Sequence, residues 1–331
     1  MLLIAFGTRP EYIKFKPLLD IFIKNEFNKY KTLFTGQHET LIGDRLNFDY
    51  KVKILDGDSR LDSIFNSILN NDSFFKDITH VMVQGDTASA YAIALAAFHR
   101  KIKVIHLEAG LRTYDIENPY PEEYYRRCIS NLSSVNLCVS DVNNNNLINE
   151  KTPGKNYIVG NTVLDNLKNV KTSYQNKILV TLHRRENHEL IKEWFMQLEQ
   201  VAEKYPDHEF LLPIHPNPNV RKYCYLLKKV KVIDPLEHED LIKYLADCKF
   251  IITDSGGLQE ESAFLNKKSI VCRKFTERLE GLGTFSFLCK EPQDLKNMID
   301  KFIIDYQINQ PCPYGDGFSS ERIFNILKEI I

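Results

Sequence analysis

Short apolar, β-branched runs alternate with longer amphipathic stretches along most of this chain, the pattern of a parallel sheet joined by crossover helices. In the first half the runs predict strands over Leu2–Phe6, Lys31–Phe34, Thr79–Val83, Lys103–Leu107, Val135–Val139 and Tyr157–Val159. Helical spacing between them is clearest over Tyr12–Lys24, Ala88–Arg100 and Glu122–Asn131. After Gly160-Asn161-Thr162, a polar, lysine-rich stretch to Lys177 marks a boundary between domains. The alternation then restarts. Strands are predicted over Ile178–Leu182, Glu209–Pro213, Lys229–Ile233, Phe250–Thr253 and Lys268–Val271, with a closing helix over Ser319–Ile331. The expected fold class is therefore α/β, with two doubly wound parallel sheets. The asparagine run at 143–146 sits inside a helical pattern and reads as solvated surface.

Composition narrows this picture only modestly. The length of 331 residues suits two domains of about 150 residues each, and 43% hydrophobic content is ample for two cores. With 43 basic against 44 acidic residues the net charge is −1, so no global field recruits nucleic acid or a membrane surface. No apolar run approaches the roughly 20 residues that span a bilayer, and Met1 leads directly into a strand, so a cytoplasmic protein is expected. The seven cysteines are scattered without a Cys-x-x-Cys pair, which indicates neither a disulfide framework nor a structural zinc site.

Candidate chemistry gathers at the predicted strand ends, where open α/β sheets bind ligands. The strand through Val104 and Ile105 runs into His106, Glu108 and Arg112, and Pro121 then introduces Glu122, Glu123, Arg126 and Arg127. Acids and bases at such an edge suggest proton transfer on an anionic substrate. The plainer alternative is that Glu122 with Arg126, and Glu123 with Arg127, are ordinary helix ion pairs at four-residue spacing. Similar constellations follow other strands. Gly7-Thr8-Arg9-Pro10-Glu11 opens a helix carrying Lys14, a small anion site or a tight turn with surface charge. Gln84-Gly85-Asp86-Thr87 places a carboxylate at the same edge, as a catalytic group or as a helix cap. His183-Arg184-Arg185-Glu186-Asn187 and His215-Pro216-Asn217 put histidines at two strand ends, the first beside arginines suited to phosphate. Ser255-Gly256-Gly257 at a helix start suits a pyrophosphate. Gln259, Glu260 and Glu261 follow on the helix, where a glutamate one or two turns along can grip a ribose, and Arg278 adds positive charge.

These blocks, together with Gly160 to Thr162 and Pro313 to Arg322, closely resemble the non-hydrolysing UDP-N-acetylglucosamine 2-epimerases, in the family's order over nearly the whole chain. The resemblance implies two Rossmann-like domains facing across a cleft, as in GT-B glycosyltransferases, with the last helix crossing back onto the first domain. The domains would be 1–165 with 313–331, and 166–312. It further implies reversible inversion at carbon 2 of a UDP-sugar without NAD or metal, through elimination of UDP to 2-acetamidoglucal and its re-addition, for a surface polysaccharide. By position, Asp86, Glu108 and Glu122 match the family's catalytic carboxylates, with Arg126 and His183 as companions. Arg9, Lys14, Ser255, Gly256, Gly257, Glu261 and Arg278 match its UDP-binding positions. Gln37, Arg184 and His215 match a second, activating UDP-N-acetylglucosamine site, although Thr40 replaces a glutamine there. Leu279 stands where proline is common. A homodimer is expected, as relatives form one. Three other readings remain: a 2-epimerase of a deoxy or oxidised UDP-2-acetamido sugar, a hydrolysing 2-epimerase, and a GT-B glycosyltransferase.

Overall fold

The computed structural model describes residues 1–36, 48–54 and 59–331, with Arg60 described by its backbone. Gln37 and Thr40 lie outside the described residues. The chain divides into two compact units, Met1–Asn166 with Gly315–Ile331, and Leu167–Tyr314. The first contains β1 (Leu2–Phe6), α1 (Arg9–Lys24), β2 (Tyr30–Phe34), β3 (Tyr50–Lys51), α2 (Arg60–Leu69), β4 (His80–Gln84), α3 (Ala88–His99), β5 (Lys103–Ala109), α4 (Glu122–Leu132), β6 (Val135–Cys138), α5 (Asp141–Asn149) and β7 (Lys155–Ile158). The second contains β8 (Lys177–Thr181), α6 (Ile191–Lys204), β9 (Glu209–Pro213), α7 (Pro218–Arg221), β10 (Lys231–Ile233), α8 (His238–Asp247), β11 (Phe250–Thr253), α9 (Gly256–Phe264), β12 (Lys268–Val271), β13 (Ser286–Leu288) and α10 (Leu295–Phe302). The chain then returns to the first unit for α11 (Ser319–Ile330).

Among the described residues the first sheet runs β3-β2-β1-β4-β5-β6-β7 and the second β10-β9-β8-β11-β12-β13. Every pairing is parallel. All residues of β1, β4, β11 and β12 are buried, as strands covered by helices on both faces must be. Helix α3 is rich in alanine, and six of its alanines are buried. The small side chains bring it close to α2 and α4, where Tyr91 packs its ring against Phe65 and Tyr125 at 5.5 and 5.2 Å. On the other face α11 adds Ile323, Phe324 and Leu327 to the core that holds Leu18 and Phe22 of α1. Asp165 anchors the start of α11 by accepting the Ser319 and Ser320 amides at 3.0 and 2.6 Å.

Both sheets reverse their strand order once, between β1 and β4 and between β8 and β11. The carboxyl ends of those strands are where a doubly wound sheet opens a crevice for a ligand. The segments leaving them are those the sequence singles out: Gly7–Glu11 and Gly85–Thr87 in the first unit, His183–Asn187 and Asp254–Gly257 in the second.

Several local features differ from expectation for identifiable reasons. Helix α1 begins three residues before Tyr12 because Thr8 and Glu11 form a reciprocal capping box. Strands β3 and β13 are edge strands of two and three residues, too short to show a period. The asparagine run is not simply solvated surface. Asn143 is 1% exposed and caps α5 with Ser140, while Asn146 donates to the Gly110 carbonyl at 3.0 Å. Among the described residues no helix is long and apolar enough to cross a membrane.

Candidate active site

In the first unit the central feature is Glu108. Strand β5 carries a register shift between Leu107 and Ala109, and Glu108 within it has φ +65°. A bulge of this kind re-aims a side chain, and a left-handed conformation at a non-glycine residue persists only where surrounding contacts enforce it. Those contacts are visible. Both carboxylate oxygens lie 2.6 Å from Lys14 Nζ, Asn161 Nδ2 donates to Oε1 at 3.2 Å, and Gln84 Nε2 donates to Oε2. A Cβ on Gly85 would sit 3.5 Å from the same carboxylate, so the turn carrying Asp86 lies directly against it.

Asp86 is held differently. Arg126 of α4, 3% exposed, donates to Asp86 Oδ2 through Nε at 2.9 Å and also through Nη2, and its Nη1 reaches Glu123 at 3.3 Å. Helix α3 is capped by Thr87, which accepts the Ala90 amide at 3.0 Å. The cap therefore falls one residue beyond Asp86, which pairs with Arg126. Glu123, fully buried, accepts the Thr113 and Tyr114 amides at 3.1 and 3.2 Å and so fixes the loop after β5. Glu122 is half-buried in the first turn of α4. Arg112 is spent on structure, with Nε and Nη2 each 2.8 Å from the Glu150 carboxylate.

Two further buried groups organise this edge: Glu11, read in the sequence as part of a turn, and His106, read as one of the acids and bases after β5. Glu11 accepts from the amides of Gly7 and Thr8 at 2.9 and 2.7 Å, from Thr8 Oγ1 at 2.7 Å and from Thr87 Oγ1 at 2.8 Å. It thereby ties the turn after β1 to the turn after β4. Burial pushes its carboxyl above the usual range, against those donors. His106, fully buried on β5, donates from Nε2 to the Gly85 carbonyl at 2.8 Å. Burial lowers its pKa to about 4, with the Gly85 bond opposing, so the ring is neutral. Gly7 itself is required by packing: a Cβ there would lie 2.3 Å from Thr35 Oγ1 and 2.4 Å from Ser89 Oγ.

In the second unit α9 begins at the twin glycines, with Ser255 as its N-cap and no capping bond from the serine side chain. The amides of a helix's first turn are donors without partners inside the helix, the arrangement that binds phosphate. A Cβ on Gly257 would meet nothing within 4 Å, whereas one on Gly256 would lie 2.8 Å from Arg278 Nη1. One glycine thus leaves open space and the other admits a guanidinium. Arg278 is buried among carboxylates, with Nε 3.1 Å from Glu260 and Nη1 bonded to Glu277. It forms the floor of the glycine turn. Glu261 lies 2.6 Å from His238 Nε2.

His183 and His215 leave adjacent strands and stack, with ring centroids 5.3 Å apart and planes 12° from parallel. Burial lowers the pKa of each. For His183 the Asp254 charge opposes that shift, while for His215 the neighbouring His183 adds to it. The Arg184 amide donates to Asp254 at 2.8 Å. Arg9, the first residue of α1, is half-buried at the first unit's crevice.

The structure therefore brings together Lys14, Glu108, Asp86 and Arg126 in one unit, and His183, Arg184 and His215 in the other, where Ser255, Gly256, Gly257 and Arg278 also meet. Lys14 stands on a carboxylate. The capping-box spacing of Thr8 and Glu11 was a legible signal for Glu11. Nothing in residue spacing marks Gln84 or Asn161 as partners of Glu108, because those contacts join distant parts of the chain, whereas Glu123 meets Arg126 at three-residue spacing on α4. Among the described residues no group of three or more His, Cys, Asp or Glu is arranged to hold a metal ion.

Comparison with known proteins bears on this arrangement. The profile of the UDP-N-acetylglucosamine 2-epimerase family matches residues 23–328. A UDP-N-acetylglucosamine 2-epimerase of Campylobacter jejuni is 38% identical, over 98% of this chain and 97% of its own. The crystal structure of the Neisseria meningitidis UDP-GlcNAc 2-epimerase bound to UDP-GlcNAc superposes with a TM-score of 0.89 at 33% identity, covering 99% of each chain. The Methanocaldococcus jannaschii enzyme, in complex with UDP-GlcNAc and UDP, gives 0.83 at 28% identity, again over 99% of each chain. The two parallel sheets are thus those of a GT-B-like fold shared across the whole length. This chain belongs to the UDP-N-acetylglucosamine 2-epimerase family.

Proposed function

We propose that this chain interconverts UDP-N-acetylglucosamine and UDP-N-acetylmannosamine by inverting carbon 2, through elimination and re-addition of UDP. A base removes the carbon 2 proton, the electron pair forms the carbon 1–carbon 2 double bond of 2-acetamidoglucal, and the carbon 1–oxygen bond breaks toward the β-phosphate. Re-addition of UDP with protonation on the opposite face gives the epimer. Hydrogen leaves and returns as a proton, so acid–base groups balance the reaction.

Asp86, Glu108 and Glu122 are the candidate acid–base groups, with Arg126 holding Asp86 and His183 as a further proton carrier. Lys14 Nζ lies 2.6 Å from the Glu108 carboxylate, and Arg9 at a helix N-terminus suits an anion. Ser255, the Gly257 turn and the first amides of α9 cradle pyrophosphate, with Arg278 beneath them. Glu261 takes the ribose, exchanging its bond to His238 for one to a hydroxyl.

The observation that carries this reading is Glu108, turned out of its strand at a left-handed bulge and surrounded by Lys14, Gln84 and Asn161, against the Asp86 turn. Such enforced geometry is costly and clusters where chemistry needs it. The named relatives, two of them bound to UDP-GlcNAc, support the substrate class.

The test is proton NMR of UDP-N-acetylglucosamine with the purified protein in deuterated water. Deuterium is expected at carbon 2 with UDP-N-acetylmannosamine accumulating. Free N-acetylmannosamine with UDP would replace this reading by a hydrolysing epimerase, and absence of exchange would direct the search to modified UDP-2-acetamido sugars. The chain is further proposed to act as a homodimer, to be checked by sedimentation equilibrium, where a mass near 38.6 kDa would contradict it.

A further inference from the structure

Asp254 follows β11 and is fully buried. Its Oδ2 accepts the His183 amide at 2.9 Å, the Arg184 amide at 2.8 Å and Asn187 Nδ2 at 2.9 Å. Asn187 also donates to the Cys272 carbonyl at 2.9 Å, locking the segment after β8 to the end of β12. Ser255, the residue after Asp254, is the N-cap of α9, so Asp254 is not there to cap that helix.

The second oxygen is the unusual one. Asp254 Oδ1 is buried with no hydrogen-bond donor, yet it lies 3.4 Å from Nδ1 of His183. A buried carboxylate oxygen left without a donor is costly, and the ring nitrogen is the group placed to relieve it. The His183 ring plane is set by stacking on His215. His215 is itself anchored, accepting the Asn217 amide on Nδ1 at 3.2 Å. A small change in the His183 ring torsion closes Nδ1–H onto Oδ1.

We propose that Asp254 is a positioning residue for His183, its second oxygen holding the imidazole in the Nδ1–H tautomer and leaving Nε2 to exchange the proton. The hydrogen bond made by one ring nitrogen decides the state of the other, and a buried aspartate on Nδ1 is an effective way to set it. The proposal rests on the epimerase reading, in which His183 carries a proton.

The decisive measurement is nitrogen-15 NMR of the full chain labelled at histidine, with the His183 signals assigned by their loss in His183→Gln. The free protein is expected to show Nδ1 protonated and Nε2 bare. In Asp254→Asn the side-chain amide donates to Nδ1 and the tautomer should switch to Nε2–H, with turnover reduced ~10²–10⁴-fold and UDP affinity unchanged. Because Asp254 acts through His183, adding Asp254→Asn to His183→Ala should cost nothing further. An Nε2–H tautomer in the unmodified chain, an unchanged tautomer in Asp254→Asn, or losses that multiply in the double variant would overturn the proposal. The tautomer of the unmodified chain decides the matter even if Asp254→Asn does not fold. It is read without substrate, so failure of the epimerase reading, seen as no exchange at carbon 2, is distinguished from failure of this contact.

Discussion

Glu108 illustrates how much one side chain's setting can carry. Its partners come from α1, β4 and the segment after β7, so a substitution there tests chemistry and packing together. Glu108→Gln preserves volume, removes the charge and turns one acceptor oxygen into a donor among the donors Lys14, Gln84 and Asn161. Turnover is expected to fall ~10²–10⁴-fold, with a lower melting temperature because Lys14 loses its counter-ion. Steady-state rates alongside thermal melts separate the two, and unchanged turnover would reduce Glu108 to an anchor for Lys14. His106 gives a prediction about pH. Its folded pKa of about 4 lies below its ordinary 6.5, so the unfolded chain takes up a proton that the folded chain refuses. The stability tied to this ring is complete above pH 6.5 and is lost as pH falls toward 4, a span of about 3 kcal/mol. Melting temperatures across that window should fall more steeply for the natural chain than for His106→Gln. Parallel slopes would clear His106 of responsibility. At this scale the sequence was informative about which residues stand at strand ends and uninformative about their partners. Asp86 could be read as a cap or as an acid. Its pairing with Arg126 across two elements is a matter of tertiary contact that no local spacing encodes.

The elements were more legible, for reasons that differ among them. Central strands such as β1 and β11 are almost continuous apolar runs, and their limits were readable within a residue or two. The edge strands β3 and β13, of two and three residues, carry no period to detect, whereas the three-residue edge strand β10 lies within the run read over Lys229–Ile233. Strand β5 extends two residues past its predicted end because the bulge at Glu108 lets pairing resume at Ala109. The next residue shows how tightly that extension is built. Gly110 has φ +88°, and a Cβ there would lie 2.3 Å from the Asn143 carbonyl of α5. Gly110→Ala is expected to destabilise the fold by about 1–3 kcal/mol, since the conformation is strained for alanine and the obstacle is backbone. Urea denaturation would measure it. A midpoint equal to that of the natural chain would mean α5 can move away at no cost.

At the scale of the whole molecule, each unit has its own sheet and core, but only the second is continuous in sequence. The first is closed by α11, whose Ile323, Phe324 and Leu327 are buried against the face that holds α1. Ending the chain at Tyr314 should therefore lower the stability of the first unit and leave the second intact. Calorimetry should then show one transition moved down and one unchanged, whereas two unchanged transitions would mean that α11 contributes no stability. The return of the chain was legible as an amphipathic terminal helix, but not from periodicity alone which sheet it would cover.

That return also orders events in time. As the chain is synthesised, the second unit is complete once Tyr314 has emerged, while the unit carrying the three candidate carboxylates waits for Gly315–Ile331. A product interrupted before α11 thus has a folded second unit and an unfinished first one. The unit that starts first in the sequence is therefore the one completed later.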